Sequence, residues 1–231
     1  MAQKITERNN SKKLTPGACK HNHVFEVFLF LNPLGDTCLN CEEEVLNFVR
    51  HTDKKVYFRF ITTSDMQTFN NYIKTLDKPL SLNDRNSLYL AHQEVCKGYK
   101  AALLQGKKVG REYLMKIQDY FGRQGNPYSK EKMLEIAGTT RLDIEMWLQD
   151  INSDLTQESI IVDAKLAHQM QISANPTVVI FDNINYQYGF KLEENITLDN
   201  LEYITDQMMI HSEEDINQTF ANKPQLTCIK K

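Results

Sequence analysis

The eight residues VFEVFLFL, Val24 to Leu31, set the strongest limit on what this chain can fold into. The run is short, nearly continuous in apolar side chains and rich in Val and Phe, the pattern of a strand covered on both faces. Glu26 interrupts it, and its length falls far short of a bilayer span. Such a strand needs other elements packed on each side. Pro33 and Gly35 turn the chain after it. Asp36 or Thr37 can then cap a helix reaching about Arg50, with apolar positions at Cys41, Val45, Phe48 and Val49. VYFRFI, Val56 to Ile61, reads as a second strand, so the opening predicts a parallel βαβ unit.

From Ser87 to Gln171 the pattern is helical. Leu88, Ala91, Val95, Tyr99 and Ala102 step by three and four and share one face. Gly106 and Gly110 punctuate a segment with Leu114, Ile117 and Phe121, and Ser129 can cap Lys130–Ala137. Thr140 with Asp143 forms a capping-box pattern ahead of Met146 and Trp147, and a helix over Ser159–Met170 completes the series. Cys96 reads as a buried helical residue and Trp147 as core. Strands return at Thr177–Asp182 and Tyr186–Phe190, joined as a hairpin, and Thr197 opens a last helix carrying Leu198, Leu201, Ile204 and Met208.

The order is therefore β-α-β, a helical block, then β-β-α. With a Cys-x-x-C at the head of the first helix, Cys38 to Cys41, it predicts an α/β thioredoxin-like fold with a large helical insertion, of the DsbA-like class. The expected segments are a flexible N-terminal arm (1–22), a thioredoxin-like domain (23–75 and 172–210), the helical insertion (76–171) and a C-terminal tail (211–231).

Composition narrows the function. A chain of 231 residues with 41% hydrophobic and 25% charged residues can bury a sizeable core. A net charge of -3 gives no reason to expect nucleic acid or an anionic membrane as partner. The first twenty residues lack the apolar stretch of a secretion signal, which predicts a cytoplasmic protein. There, structural disulfides are rare, so the Cys-x-x-C points to redox chemistry or a metal before a staple.

Three candidate sites follow. Cys38 at the first turn of a helix would be favoured as thiolate by unpaired N–H groups and the helix dipole, with Cys41 one turn on as the resolving thiol. On this reading Cys38 is the more exposed and more acidic of the two. Leu39 and Asn40 between them, and the run Glu42–Glu44 beside them, oppose thiolate formation. Equally, Cys41, Val45 and Phe48 form an apolar stripe in which cysteine serves as a small hydrophobe. The second site is Asn175-Pro176-Thr177 in SANPTVVIF, at the position where thioredoxin-like folds carry a cis-proline. A loop of that kind, with Asn175 presenting backbone groups, would pair with an extended partner segment. The third is CKHNH, where Cys19, His21 and His23 alternate and, if extended, point one way as zinc ligands. Cys228 is a candidate fourth ligand, and the alternative is an exposed arm without metal.

The Cys/His cluster before the first strand, NPL followed by the C-x-x-C helix, LLQGKKVGREYLMKIQDYF (Leu103 to Phe121) and the NPT at 175–177 together resemble the SpxH (YjbH) family of DsbA-like adaptors, over roughly residues 19 to 190. The resemblance implies an adaptor that binds the stress regulator Spx and promotes its degradation by the ClpXP protease. It assigns Cys19, His21 and His23 to metal binding, Cys38 and Cys41 to the C-x-x-C, and Asn175, Pro176 and Thr177 to the cis-proline loop. It requires no cofactor beyond a candidate zinc. It also implies a further C-terminal region, of which NKPQLTCIKK would be the beginning. A cytoplasmic thiol-disulfide oxidoreductase of the DsbA family, working through the same dithiol, is the alternative.

Overall fold

The computed structural model describes residues 23–63, 65–76, 79–184, 188–210 and 226–230. Strand β1 (Val24–Leu31) leads into helix α1 (Asp36–His51) and strand β2 (Lys55–Thr62). Helices α2 (Met66–Lys74), α3 (Leu82–Leu104) and α4 (Lys107–Ile117) follow, and α4 runs directly into a π-helix at Gln118–Arg123. After α5 (Lys130–Gly138), α6 (Ile144–Asp150) and α7 (Asp154–Gln169) come β3 (Thr177–Asp182), β4 (Tyr188–Leu192), α8 (Leu198–Ile210) and β5 (Leu226–Lys230).

The sheet has the order β2-β1-β3-β4-β5. β1 and β2 are parallel, and the remaining neighbours are antiparallel. As the first strand's composition requires, β1 is covered on both faces. Phe25, Val27, Leu29 and Leu31 enter the larger core with α1, α3, α4 and α8. Phe28 and Phe30 enter a smaller one with Ile61, Val179 and the end of α7 at Ala167 and Met170. A helical block between β2 and β3 and a mixed sheet are the features of the thioredoxin-like, DsbA-like fold.

Several boundaries differ from the sequence reading for local reasons. Neither Asp36 nor Thr37 caps α1; Gly35 is its N-cap and makes no side-chain bond. Asn32 shapes the preceding turn instead, its Oδ1 accepting from Leu34 N at 2.9 Å and its carbonyl from Gly35 N at 3.1 Å. Asp143, not Thr140, caps α6, accepting from Met146 N at 3.1 Å; Thr140 donates to Ala137 O and closes α5. Helix α7 starts five residues before Ser159 because Ser153 caps it through Thr156 N. α2, short and polar, was not anticipated. Leu226–Lys230, read as tail, adds an edge strand beside β4.

Candidate functional site

Cys38 lies in the first turn of α1, as the spacing predicts, but its thiol is buried at 1% exposure. Asn32 N–H donates to its Sγ at 3.2 Å, and a Cβ on Gly35 would come within 3.2 Å of the same sulfur. Burial pushes the thiol far up, and Glu42, Cys41 and Asp36 add to this, while the Asn32 N–H opposes it. Cys41 is half-buried, and burial with Glu42 and Glu44 pushes it up to about 11. Both thiols are free. The expected order is thus reversed: Cys41 is the more exposed and the less perturbed. The helix N-terminus is present, but loss of water around Sγ outweighs what it offers a thiolate.

The helical block packs beside this turn. The π-helix packs on the start of α1, with Gly122 so close that a Cβ there would stand 3.0 Å from Leu34 O and 3.1 Å from Asp36 N. Gln118 Nε2 donates to Asn32 O at 3.2 Å, and Arg123 reaches Asn40 Oδ1 at 2.9 Å and Glu43 Oε1 at 3.1 Å. From α2, Tyr72 is near enough for Asp36 and Cys38 to help raise its phenol, behind burial as the largest cause. Leu39, between the cysteines, is itself buried at 2%.

The three glutamates after Cys41 divide their roles. Glu42 is fully buried, and Gln118 approaches its carboxyl without completing a hydrogen bond of ordinary geometry to either oxygen. Burial holds its pKa well above the ordinary 4.5, with Glu43 adding to the rise and Gln118 and Arg111 opposing it. Glu43 pairs with Arg123, and Glu44 Oε2 accepts from Leu198 N at 2.7 Å, holding the first turn of α8. The run does not act as one negative cluster. Sequence reasoning missed Glu42 as a buried group, although it falls four residues after Cys38, on the same helix face.

On the other side of the sheet end, the Asn175–Pro176 peptide is cis. Asn175 Nδ2 donates to Thr63 Oγ1 at 2.6 Å, and Thr177 Oγ1 donates to Ala174 O at 2.8 Å. Asn71 of α2 donates to Ser173 O at 2.7 Å, fixing the loop from a second side. A cleft of about 420 Å³ opens between α1, α4, the π-helix and α5, with Leu39, Tyr120 and Ile136 beside Glu43, Arg123 and Lys132. It is a mixed apolar and charged surface next to the buried dithiol.

Of the predicted metal ligands, Cys19 and His21 lie outside the described residues. His23 Nδ1 is 2.6 Å from Asp182 Oδ2, and its ring stacks on Phe25. Cys228 is on β5, three strand spacings from β1, roughly 14 Å. That distance separates it from His23 as a shared ligand. Among the described residues, no group of three or more His, Cys, Asp or Glu side chains could hold a metal ion, and no helix is long and apolar enough to cross a membrane.

Comparison with known proteins agrees with this picture. The family model described as Thioredoxin matches residues 28–203. The ClpXP adapter protein SpxH of Bacillus subtilis (strain 168) is 26% identical over 209 residues, 82% of this chain and 70% of that protein. The protein of the same name from Bacillus cereus is 27% identical over 205 residues, 80% and 68% of the two chains. Among solved structures, the oxidoreductase DsbA of Xylella fastidiosa superposes with a TM-score of 0.56 at 10% identity, covering 81% of this chain and 85% of that one. Pseudomonas aeruginosa DsbA gives 0.56 at 12% identity, covering 87% of each. At those identities the structural likeness concerns the fold.

Proposed function

This chain belongs to the thioredoxin family, and from that premise we propose that it works as an adaptor: it binds the regulator Spx and promotes its degradation by the ClpXP protease in the cytoplasm. One observation carries the choice between adaptor and enzyme. Cys38, the nucleophile position of the fold, is buried and held well above the ordinary thiol range. Dithiol exchange needs an accessible thiolate, whereas partner recognition needs only a surface. The relatives named ClpXP adapter proteins support the same choice, with matches over about four fifths of the chain. The recognition surface of this reading is the Asn175-Pro176-Thr177 loop together with the mixed cleft beside α1.

The test is a reconstituted degradation assay with Spx, ClpXP and ATP. Adding the chain shortens the half-life of Spx while reducing insulin disulfides slowly. A chain that leaves Spx turnover unchanged and reduces insulin rapidly belongs with the oxidoreductase alternative.

Zinc on Cys19, His21 and His23 is part of this proposal. The Asp182 carboxylate on His23 Nδ1 supports it, since a histidine ligand is ordinarily oriented by a carboxylate on its other ring nitrogen. About one zinc per untagged chain, released on acidification as the ligands protonate, is expected by elemental analysis. Metal-free protein would remove zinc from the proposal and leave the adaptor reading intact.

A further inference from the structure

The sheet ends at β2, whose outer flank has no partner strand among the described residues. Along a strand the backbone groups alternate between its two flanks. Thr63 N–H donates to Leu31 O at 3.1 Å, so the odd-numbered residues of β2 face β1. The carbonyl of Phe60, an even position, accepts instead from the Tyr99 hydroxyl at 3.1 Å, which covers that end of the edge with α3. Val56 and Phe58, four and two residues earlier, therefore turn their N–H and C=O groups outward beyond this cover.

Around those residues the surface is cationic and aromatic. Cavities of about 380 Å³ and 400 Å³ flank the stretch, and Phe58, Arg59, Lys107 and Arg111 line both. Arg111 stands 4.9 Å over the Phe58 ring and Arg59 5.9 Å over the Phe28 ring. Asp163 pairs with the buried Lys100 and lies 3.3 Å from Arg59. With Lys100 neutralised by Asp163, which also neighbours Arg59, the two linings still hold Arg59, Lys107 and Arg111 against one acidic lining residue, Glu26.

We infer that the Val56–Arg59 edge of β2 accepts an extended acidic segment of a partner protein by strand addition. Its backbone pairs with Val56 and Phe58, and its carboxylates meet Arg59, Lys107 and Arg111. The sign of the surface selects this occupant. A second copy paired edge to edge would set the same cations against one another. Residues 1–22 carry Lys4, Arg8, Lys12, Lys13 and Lys20 against Glu7, and so are of the wrong sign as well. The groove shares no lining residue with the Cys38 and Asn175 site, so the inference does not depend on the adaptor reading.

The experiment uses the full chain and three capped peptides of equal length: alternating Glu and Val, alternating Lys and Val, and the Glu/Val sequence N-methylated at alternate residues. The Glu/Val peptide binds, and at saturation slows amide exchange at Val56 and Phe58 by about tenfold or more, while the Lys/Val and N-methylated peptides do not. Lys107→Glu, at an exposed position where the fold is indifferent, weakens binding by about tenfold; Arg111→Gln weakens it too. Four results overturn the proposal: equal binding of the N-methylated peptide, protection that bypasses Val56 and Phe58, undiminished binding by Lys107→Glu, or those amides protected by self-association alone. The first would reduce these cations to a device that keeps an edge strand from aggregating.

Discussion

At Glu42 the chain places a carboxyl in the core, without a hydrogen bond of ordinary geometry and with a pKa well above 4.5. The folded value exceeds the unfolded one, so its contribution to stability is fully present below about pH 4.5 and is lost as pH rises toward the folded value. Glu42→Gln keeps the shape and removes the proton. Urea unfolding from about pH 5 to about pH 8 therefore gives a variant whose stability gains on the parent with rising pH, by at most about 1.4 kcal/mol per pH unit. Parallel curves would mean that Glu42 ionises freely. The cysteines make a second expectation at this scale. In native protein, alkylation modifies Cys41 before Cys38, because Cys41 is half-buried with its thiol at about 11 while Cys38 is sealed and higher. Faster labelling of Cys38 would contradict the geometry.

The element that closes the site is the π-helix Gln118–Arg123, whose wide turn brings Gly122 against the backbone of Leu34, Gly35 and Asp36. All three contacts are main chain and none can swing aside. Gly122→Ala should push the π-helix off α1, destabilise the protein by about 1–3 kcal/mol and speed alkylation of Cys38. A variant as stable as the parent with Cys38 still sealed would show that closure lies elsewhere. This element also explains what the sequence could and could not disclose. β1, α1, β2 and the buried face of α3 were legible because Val24–Leu31 and the Ala91, Val95, Tyr99 spacing are local hydrophobic patterns. The burial of Cys38 was not, because it depends on how α1 packs against elements distant in sequence, among them α2 and the π-helix. Glu42, Glu43 and Glu44 looked like one cluster because adjacency was read without the roughly 100° turn per helical residue. That rotation sends them to the core, to Arg123 and to α8. The five residues of β5 carry too little pattern to mark a strand.

As a whole, the molecule has a thioredoxin-like fold that encloses the first thiol of its Cys-x-x-Cys. The Thioredoxin match, the DsbA-like superpositions and the relatives named as adapters are compatible on that basis, because a shared fold does not fix its use. The edge of β2, unpartnered among the described residues, then gives the molecule a second face for protein contact, remote from the dithiol in its lining residues. The most direct measurement is the rate of Spx degradation by ClpXP in the presence of the chain carrying Cys38→Ala and Cys41→Ala, with Cys41→Ser alone as the less intrusive companion. An adaptor with a sealed dithiol supports degradation at the parent's rate in both. Loss of that support in folded Cys41→Ser protein, alongside rapid insulin reduction by the parent, would contradict it and make the dithiol the working part.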